Sequence, residues 1–353
     1  MNFDHKPKIF YSHELNSEFF SSLYNDSKVI KINTIDSQLL ELAIINNPKK
    51  QQEIRSSCNV EAYLPNIDYD NYGNWIYYPW LNTMVKILEK KDFIKVRTSR
   101  NQYKITPQEQ EALEKKSVGI VGLSVGQSVA KTIALERIAG KLILADFDEL
   151  ELSNLNRIQA GIHNLGLPKT VITARQISEI DPYIDIVCYH DGITIQNIHT
   201  FFKQQMDLLI DECDSLSIKV ELRKWARKNK LPLLMDTSDN GMLDIERYDL
   251  IENYPFFHGK VSENTLNSCL KKDLSKQEVI NIVLEIIDKE TMSEELKYSI
   301  SQIGKTINTW PQLGSDVCLG GAITAITARE ILLKKSSVSG RFFFDYQKIV
   351  SNG

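Results

Sequence analysis

Between residues 118 and 235, short apolar runs alternate with segments whose apolar residues recur at helical spacing. This alternation restricts the fold more than any other feature of the chain. A strand-like run over 118–121 leads into a turn containing Gly122, Ser124 and Gly126. A helix over 128–139 repeats Val129, Ile133, Ala134 and Ile138, with Gly140 as the expected stop. Strands over 142–145, 184–189, 208–210 and 232–235 then alternate with helices over 170–180, near 196–203 and over 218–228. A charged helix over 107–116 precedes the series. Such alternation predicts an α/β fold with a doubly wound, mainly parallel sheet.

Elsewhere the pattern is looser. Residues 1–95 read as a mixed N-terminal extension, with a helix over 37–45 that stops at Asn46, Asn47 and Pro48. Its stretch 71–80 holds Tyr72, Trp75, Tyr77, Tyr78 and Trp80, which suit packing against a neighbour; a base-stacking platform is the sharper reading. After Gly241 an antiparallel strand is expected over 242–250, and a helix over 275–289. A long helix is expected within 314–334, and a strand over 341–350 with three phenylalanines.

Composition narrows the function classes. A net charge of −4 over 353 residues offers no electrostatic reason to expect nucleic-acid binding. The N-terminus has no apolar signal region, and no run is long enough to span a membrane, so the cytoplasm is the expected location. The five cysteines include no Cys-x-x-Cys pair, which argues against a disulfide framework and a cysteine-rich zinc site.

The chemistry concentrates behind the second strand of the series. Asp146, at that strand's carboxyl end, sits where a βαβ unit places the acid that accepts from a ribose hydroxyl, and Asp148 follows two residues on. Asn154, Asn156 and Arg157 come close behind as a polar wall, with Arg157 supplying a planar donor fork for phosphate. Lys169 adds a point charge at the start of the next helix. Asp214, beyond the strand over 208–210, could hold Mg²⁺ against phosphates or cap the following helix. Gly122, Ser124 and Gly126 also fit the nucleophile elbow of an α/β-hydrolase, with His258 as its histidine, but that reading leaves 146–157 without a task.

From about residue 97 to 240, and again from 313 to 335, the chain resembles the ThiF/MoeB/ubiquitin-activating superfamily of ATP-dependent adenylyltransferases. The segment 145–157 carries the resemblance, matching that family's acid-and-arginine motif. Lys169, Asp214 and Gly320-Gly321 with its helix resemble further family features. Arg100 resembles the arginine that reaches a neighbouring subunit's ATP. The glycine turn departs from the family pattern at several positions, and the zinc-binding Cys-x-x-Cys pairs of many members are missing. The long N-terminal extension resembles that of a bacterial branch of the family.

The resemblance implies a Rossmann-like ThiF domain over 96–353 that binds ATP through Gly122, Ser124, Gly126, Asp146, Asp148, Asn154, Asn156, Arg157 and Lys169. It implies catalysis by Arg157, Asp214 and, from a partner subunit in a homodimer, Arg100. Asp214 would carry Mg²⁺, and no structural zinc is expected. The reaction implied is activation of a carboxylate as an acyl-adenylate with release of pyrophosphate. That carboxylate could belong to a carrier-protein C-terminus, a peptide, or a small or tRNA-borne acid. A nicotinamide- or flavin-dependent oxidoreductase and a non-catalytic nucleotide-binding module stay open as alternatives. For a covalent step, Cys213 lies between acids that disfavour its thiolate. Cys269, in an expected loop, is the best thiol candidate, and Cys188 and Cys318 are expected in the core.

Overall fold

The structure, a computed structural model, describes residues 3–270, 274–287 and 290–351. They fall into two compact units, one of residues 1–108 with 178–183, the other of 109–177 with 184–353.

The first unit contains β1 (Lys8–Phe10), α1 (Glu18–Asn25), β2 (Ile30–Asn33), α2 (Ile35–Asn46), α3 (Gln51–Ser57), β3 (Asn74–Tyr78), β4 (Thr83–Ile87) and α4 (Lys90–Arg97). The strands form one sheet in the order β1-β3-β4-β2, with only β2 and β4 parallel among the described residues. The aromatic stretch packs into this unit's own core rather than forming an exposed platform. Trp75 joins Phe10, Phe20 and Met84, while Tyr72 joins Leu39, Leu42 and Ile54. Tyr72 also donates to Asp92, and Tyr78 to the carbonyl of Ser178, so each buried hydroxyl has an acceptor.

The helix expected over 107–116 is α5 (Pro107–Glu114), with proline at its first position. In the second unit follow β5 (Ser117–Val121), α6 (Gly126–Glu136), β6 (Lys141–Ala145), α7 (Lys169–Ile180), β7 (Asp185–Tyr189), α8 (Ile198–Phe202), β8 (Leu208–Asp211), α9 (Leu216–Lys228) and β9 (Pro232–Asp236). The sheet order is β11-β10-β9-β8-β5-β6-β7, and β5 to β9 are parallel. This is the expected doubly wound sheet. Its order reverses at β5, between β6 and β8, so a crevice opens at the carboxyl ends of β5 and β8.

β10 (Met242–Arg247) returns antiparallel to β9, and β11 (Gly340–Phe343) pairs antiparallel with β10. Between these two strands lie α10 (Glu263–Cys269), α11 (Lys276–Ile287), α12 (Glu294–Gln302) and α13 (Gly314–Leu332). The end of the helix expected over 275–289 lies outside the described residues. Every residue of β10 is buried, including Asp244, Glu246 and Arg247. Arg223 of α9 reaches Asp211 at 2.7 Å and Glu246 at 2.8 Å, and lies 3.7 Å from the centre of the Phe257 ring. Asp244 is held by Arg341 at 2.6 Å and by His258 at 3.3 Å. These pairings are what let an antiparallel strand rich in charge sit inside the unit.

Two sequence expectations fail for identifiable reasons. α6 ends at Glu136 rather than running to Gly140. Arg137 takes a left-handed φ of +54°, and the Ile138 N–H returns to the Ile133 carbonyl to close the last turn. Gly140 has another task, since a Cβ there would lie 1.8 Å from the Glu114 carbonyl oxygen. The strand expected over 341–350 stops at Phe343. Asp345 Oδ1 accepts the Lys348 N–H and starts α14 (Tyr346–Ser351). Among the described residues, no helix is long and apolar enough to cross a membrane.

Candidate active site

β5 delivers the chain to Gly122, whose φ is +91°. A Cβ there would lie 2.4 Å from the Glu212 carbonyl oxygen in the loop after β8, so only glycine allows the two loops to meet. α6 begins four residues later, and no side chain caps it. Its first N–H groups therefore have no side-chain acceptor, the usual arrangement for receiving an anion. Gly126 is close-packed as well, since a Cβ would lie 2.9 Å from Ile120 Cγ2.

Asp146 follows β6 and is bound to the turn. Its Oδ2 accepts the Leu123 N–H at 2.6 Å, and its Oδ1 accepts the Asp148 N–H at 2.8 Å. Burial pushes its carboxyl above the usual range, while Lys169 and these two N–H groups pull it back. Lys169, almost fully buried at the start of α7, meets Asp148 Oδ2 at 2.8 Å. Asn154 is also buried; its Oδ1 accepts the Glu151 N–H and shapes the short 3₁₀ turn over Leu152–Asn156.

Arg157 leaves that turn and donates from Nε to Ser124 Oγ at 3.0 Å and from Nη1 to Asn156 Oδ1 at 3.0 Å. Asn156 in turn donates to the Gln312 carbonyl at 2.6 Å. Partial burial lowers the Arg157 pKa, and the charge of Asp214 opposes that shift, which puts the two groups within electrostatic reach. The glycine turn, the acid and the arginine are thus one bonded constellation. His258 does not belong to it. Its ring nitrogens meet Tyr254 and Asp244, and Ser124 is occupied by Arg157, so the hydrolase reading loses its histidine. Arg100 is an exposed residue of the first unit, in the 3₁₀ turn Ser99–Asn101.

Asp214 is exposed beyond β8 and lines a cleft of about 1010 Å³ with Val125, Glu212, Asp236, Asn240 and Asp316. Glu212 and Asp236 are acids that the motif search missed. Both lie at the carboxyl ends of parallel strands, where the placement rule for open α/β sheets could have found them. Asp236 is 5% exposed, and Glu212 Oε1 accepts its backbone N–H at 3.1 Å. Burial drives the Asp236 carboxyl up to about 7, and the Glu212 carboxyl well above the usual range. α13 packs so closely here that a Cβ on Gly320 would lie 2.0 Å from Asp236 Oδ2, and one on Gly321 would lie 2.3 Å from Ser128 Oγ.

The raised Asp236 pKa has a consequence for stability. An acid whose folded pKa exceeds its unfolded value of about 3.9 destabilises the fold as pH rises through the interval between them. Asp236→Asn is therefore expected to be more stable than the parent at pH 8 by up to roughly 4 kcal/mol, with the gap closing by pH 4. Urea unfolding at the two pH values measures this. An equal difference at both would contradict it.

The cysteine expectations change with the structure. Cys269 is buried in α10, and burial pushes its thiol up, so it is not a loop nucleophile. Cys318 is exposed on α13 and Cys188 is half-buried, so neither is a fully buried core residue. Cys213 is pushed well up by burial and by Asp211, which its thiol meets at 3.0 Å.

The sequence profile of the ThiF family matches residues 98–242, the span that contains β5 to β9 and the whole constellation around Arg157. Residues 98–242 belong to the ThiF family. The ThiF domain's relatives include an uncharacterised protein of Mycobacterium tuberculosis, 40% identical over 289 residues, covering 81% of this chain and 40% of that one. The tRNA threonylcarbamoyladenosine dehydratase of Bacillus subtilis is 22% identical over 246 residues, covering 67% of this chain and 96% of its own. Among solved structures, Escherichia coli tRNA N6-threonylcarbamoyladenosine dehydratase in complex with ATP matches with a TM-score of 0.50 at 18% identity, over 70% of this chain and 98% of that one. That likeness extends the Rossmann-like ThiF fold beyond the matched span. The chain spans less than half the length of its mycobacterial relative.

Proposed function

We propose that this protein is an ATP-dependent adenylyltransferase that activates a carboxylate as an acyl-adenylate and releases pyrophosphate. The observation that carries the reading is the bonded constellation of Gly122, Ser124, Asp146 and Arg157 at the switch point of the sheet. The ThiF family match and a dehydratase relative solved with ATP support it. Residues 96–353 form the adenylating domain, and residues 1–95 are an extension to it.

The residues fit ATP. Asp146 has lone pairs left for a ribose hydroxyl after its two backbone bonds. Arg157 Nη2 makes no hydrogen bond among the described residues and is available to phosphate beside the uncapped start of α6. Lys169 neutralises charge on the same side. Nucleotidyl transfer depends mainly on positioning and electrostatic stabilisation, which these groups supply. Asp214 fits Mg²⁺ as a single exposed carboxylate, because Mg²⁺ is commonly held by one or two carboxylates together with substrate phosphates and water. No cluster of three or more ligating side chains able to hold a metal occurs among the described residues. When bound, the ion would neutralise phosphate charge.

In a homodimer, Arg100 would serve the neighbouring subunit's nucleotide. The activated acid would be a carrier-protein C-terminus, a peptide, or a small or tRNA-borne acid, and the site would operate in the cytoplasm. An oxidoreductase on the same unit would leave the Arg157–Ser124 bond without a task. The test is ATP–pyrophosphate exchange with a panel of candidate acids. Asp214→Asn is expected to lower exchange about 100-fold, the scale of one lost electrostatic contact to the transition state. Exchange undiminished in Asp214→Asn would remove the metal role, and stabilisation by NAD(H) without any by Mg·ATP would favour redox chemistry.

A further inference from the structure

The cleft beyond β8 and β9 is strongly acidic. Nine carboxylates and three lysines line it, and each lysine is already paired, Lys219 with Asp211 at 3.3 Å, Lys297 with Glu294 at 2.7 Å and Lys348 with Asp345 at 3.2 Å. A substrate entering as a bare carboxylate would meet a net excess of acidic groups. Mg²⁺ at Asp214 would relieve part of this. Asp236 is a separate matter, because no group of three potential ligands converges there or elsewhere among the described residues.

Asp236 is also incompletely satisfied. Oδ2 accepts from Ser238 Oγ at 3.2 Å and the Thr237 and Ser238 N–H groups bear on the carboxyl, but Oδ1 is buried without a well-formed hydrogen bond, and so is Thr237 Oγ1 on the next residue. Burying a carboxylate oxygen without a partner is costly, and such a group calls for a water, an ion or a ligand to complete it. Asp316, on α13, lines the same cleft, and its charge adds to the rise of the Asp236 carboxyl.

We propose that the molecule activated in this cleft carries a protonated amine as well as its carboxylate, and that Asp236 with Asp316 receives that amine and selects for it. An ammonium group supplies three donors and one positive charge. It can therefore satisfy Asp236 Oδ1 while cancelling the excess charge that would repel the carboxylate. The substrate class becomes an amino acid, a peptide segment or an amino-bearing metabolite acid, rather than a plain fatty or dicarboxylic acid. For the identity of the activated group the inference rests on the adenylation reading; for amine binding it does not.

The test separates the two. Calorimetric titration of the full chain with N-acetyl-lysine N-methylamide, beside its uncharged norleucine counterpart, reads amine binding without ATP or turnover. Only the lysine compound is expected to bind, with affinity falling about tenfold in Asp236→Asn and severalfold in Asp316→Asn. Asp316 is the safer position for folding, being less buried. In pyrophosphate exchange, 6-aminohexanoate should show a KM at least tenfold below that of hexanoate, and Asp236→Asn should erase this difference. Equal binding of the two titrants, or binding indifferent to both substitutions, overturns the inference. Amine binding that survives in the absence of exchange with any acid would instead remove the adenylation reading and leave the cation site standing.

Discussion

Arg157→Ala is expected to lower ATP–pyrophosphate exchange by about two orders of magnitude, close to 3 kcal/mol of lost transition-state stabilisation. The side chain is half-exposed and its recorded bonds go to Ser124, Ser153 and Asn156, so the fold loses little when it is removed. Nε fixes the guanidinium against the glycine turn, Nη1 is held by Asn156, and Nη2 makes no hydrogen bond among the described residues. Arg157→Lys should recover only a small part of the activity, because an ammonium cannot hold Ser124 and reach phosphate with a planar fork together. Exchange kinetics beside thermal unfolding distinguish this from general damage. An Arg157→Ala protein of unchanged Tm and unchanged exchange would sink the assignment.

Arg223→Ala should produce the largest stability loss, about 4 kcal/mol, the scale for leaving buried charges without their partner. Arg223 is fully buried, and it bonds Asp211 and Glu246 while lying under the Phe257 ring. Burial alone would lower its pKa, but Glu246 and Asp211 overcome that and leave it above its ordinary value. Without it, two buried carboxylates would face each other's charge, and β10 would lose its tie to β8. Glu246 also accepts the Phe257 N–H and the Tyr248 hydroxyl, so the start of the segment after β10 should loosen with it. Urea unfolding followed by circular dichroism measures the loss. A change under 1 kcal/mol would mean that the network relaxes or takes up water.

The sequence by itself determined the parallel core. Strands β5 to β9 were legible because a strand buried on both faces reads as an uninterrupted apolar run, and the helices between them keep a 3.6-residue period. Asp146 was legible from its place at the end of the second strand of a βαβ unit, whereas Arg157 and Lys169 stood out through the resemblance to the ThiF family's motif. Local pattern failed where a neighbour in space sets the outcome. Gly140 looked like a helix stop, but is glycine because the Glu114 carbonyl lies against it; Arg137 closes α6 instead. β10 carries charges that a strand's period alone could not place inside, since their partners Arg223 and Arg341 lie 23 and 97 residues away, respectively, from Glu246 and Asp244. The same holds for the cleft. Only the tertiary structure brings Glu212, Asp236 and Asp316 together, from β8, β9 and α13. Whether an acid is an ordinary surface charge or a buried group titrating near 7 depends on the solvent and partners removed by that packing.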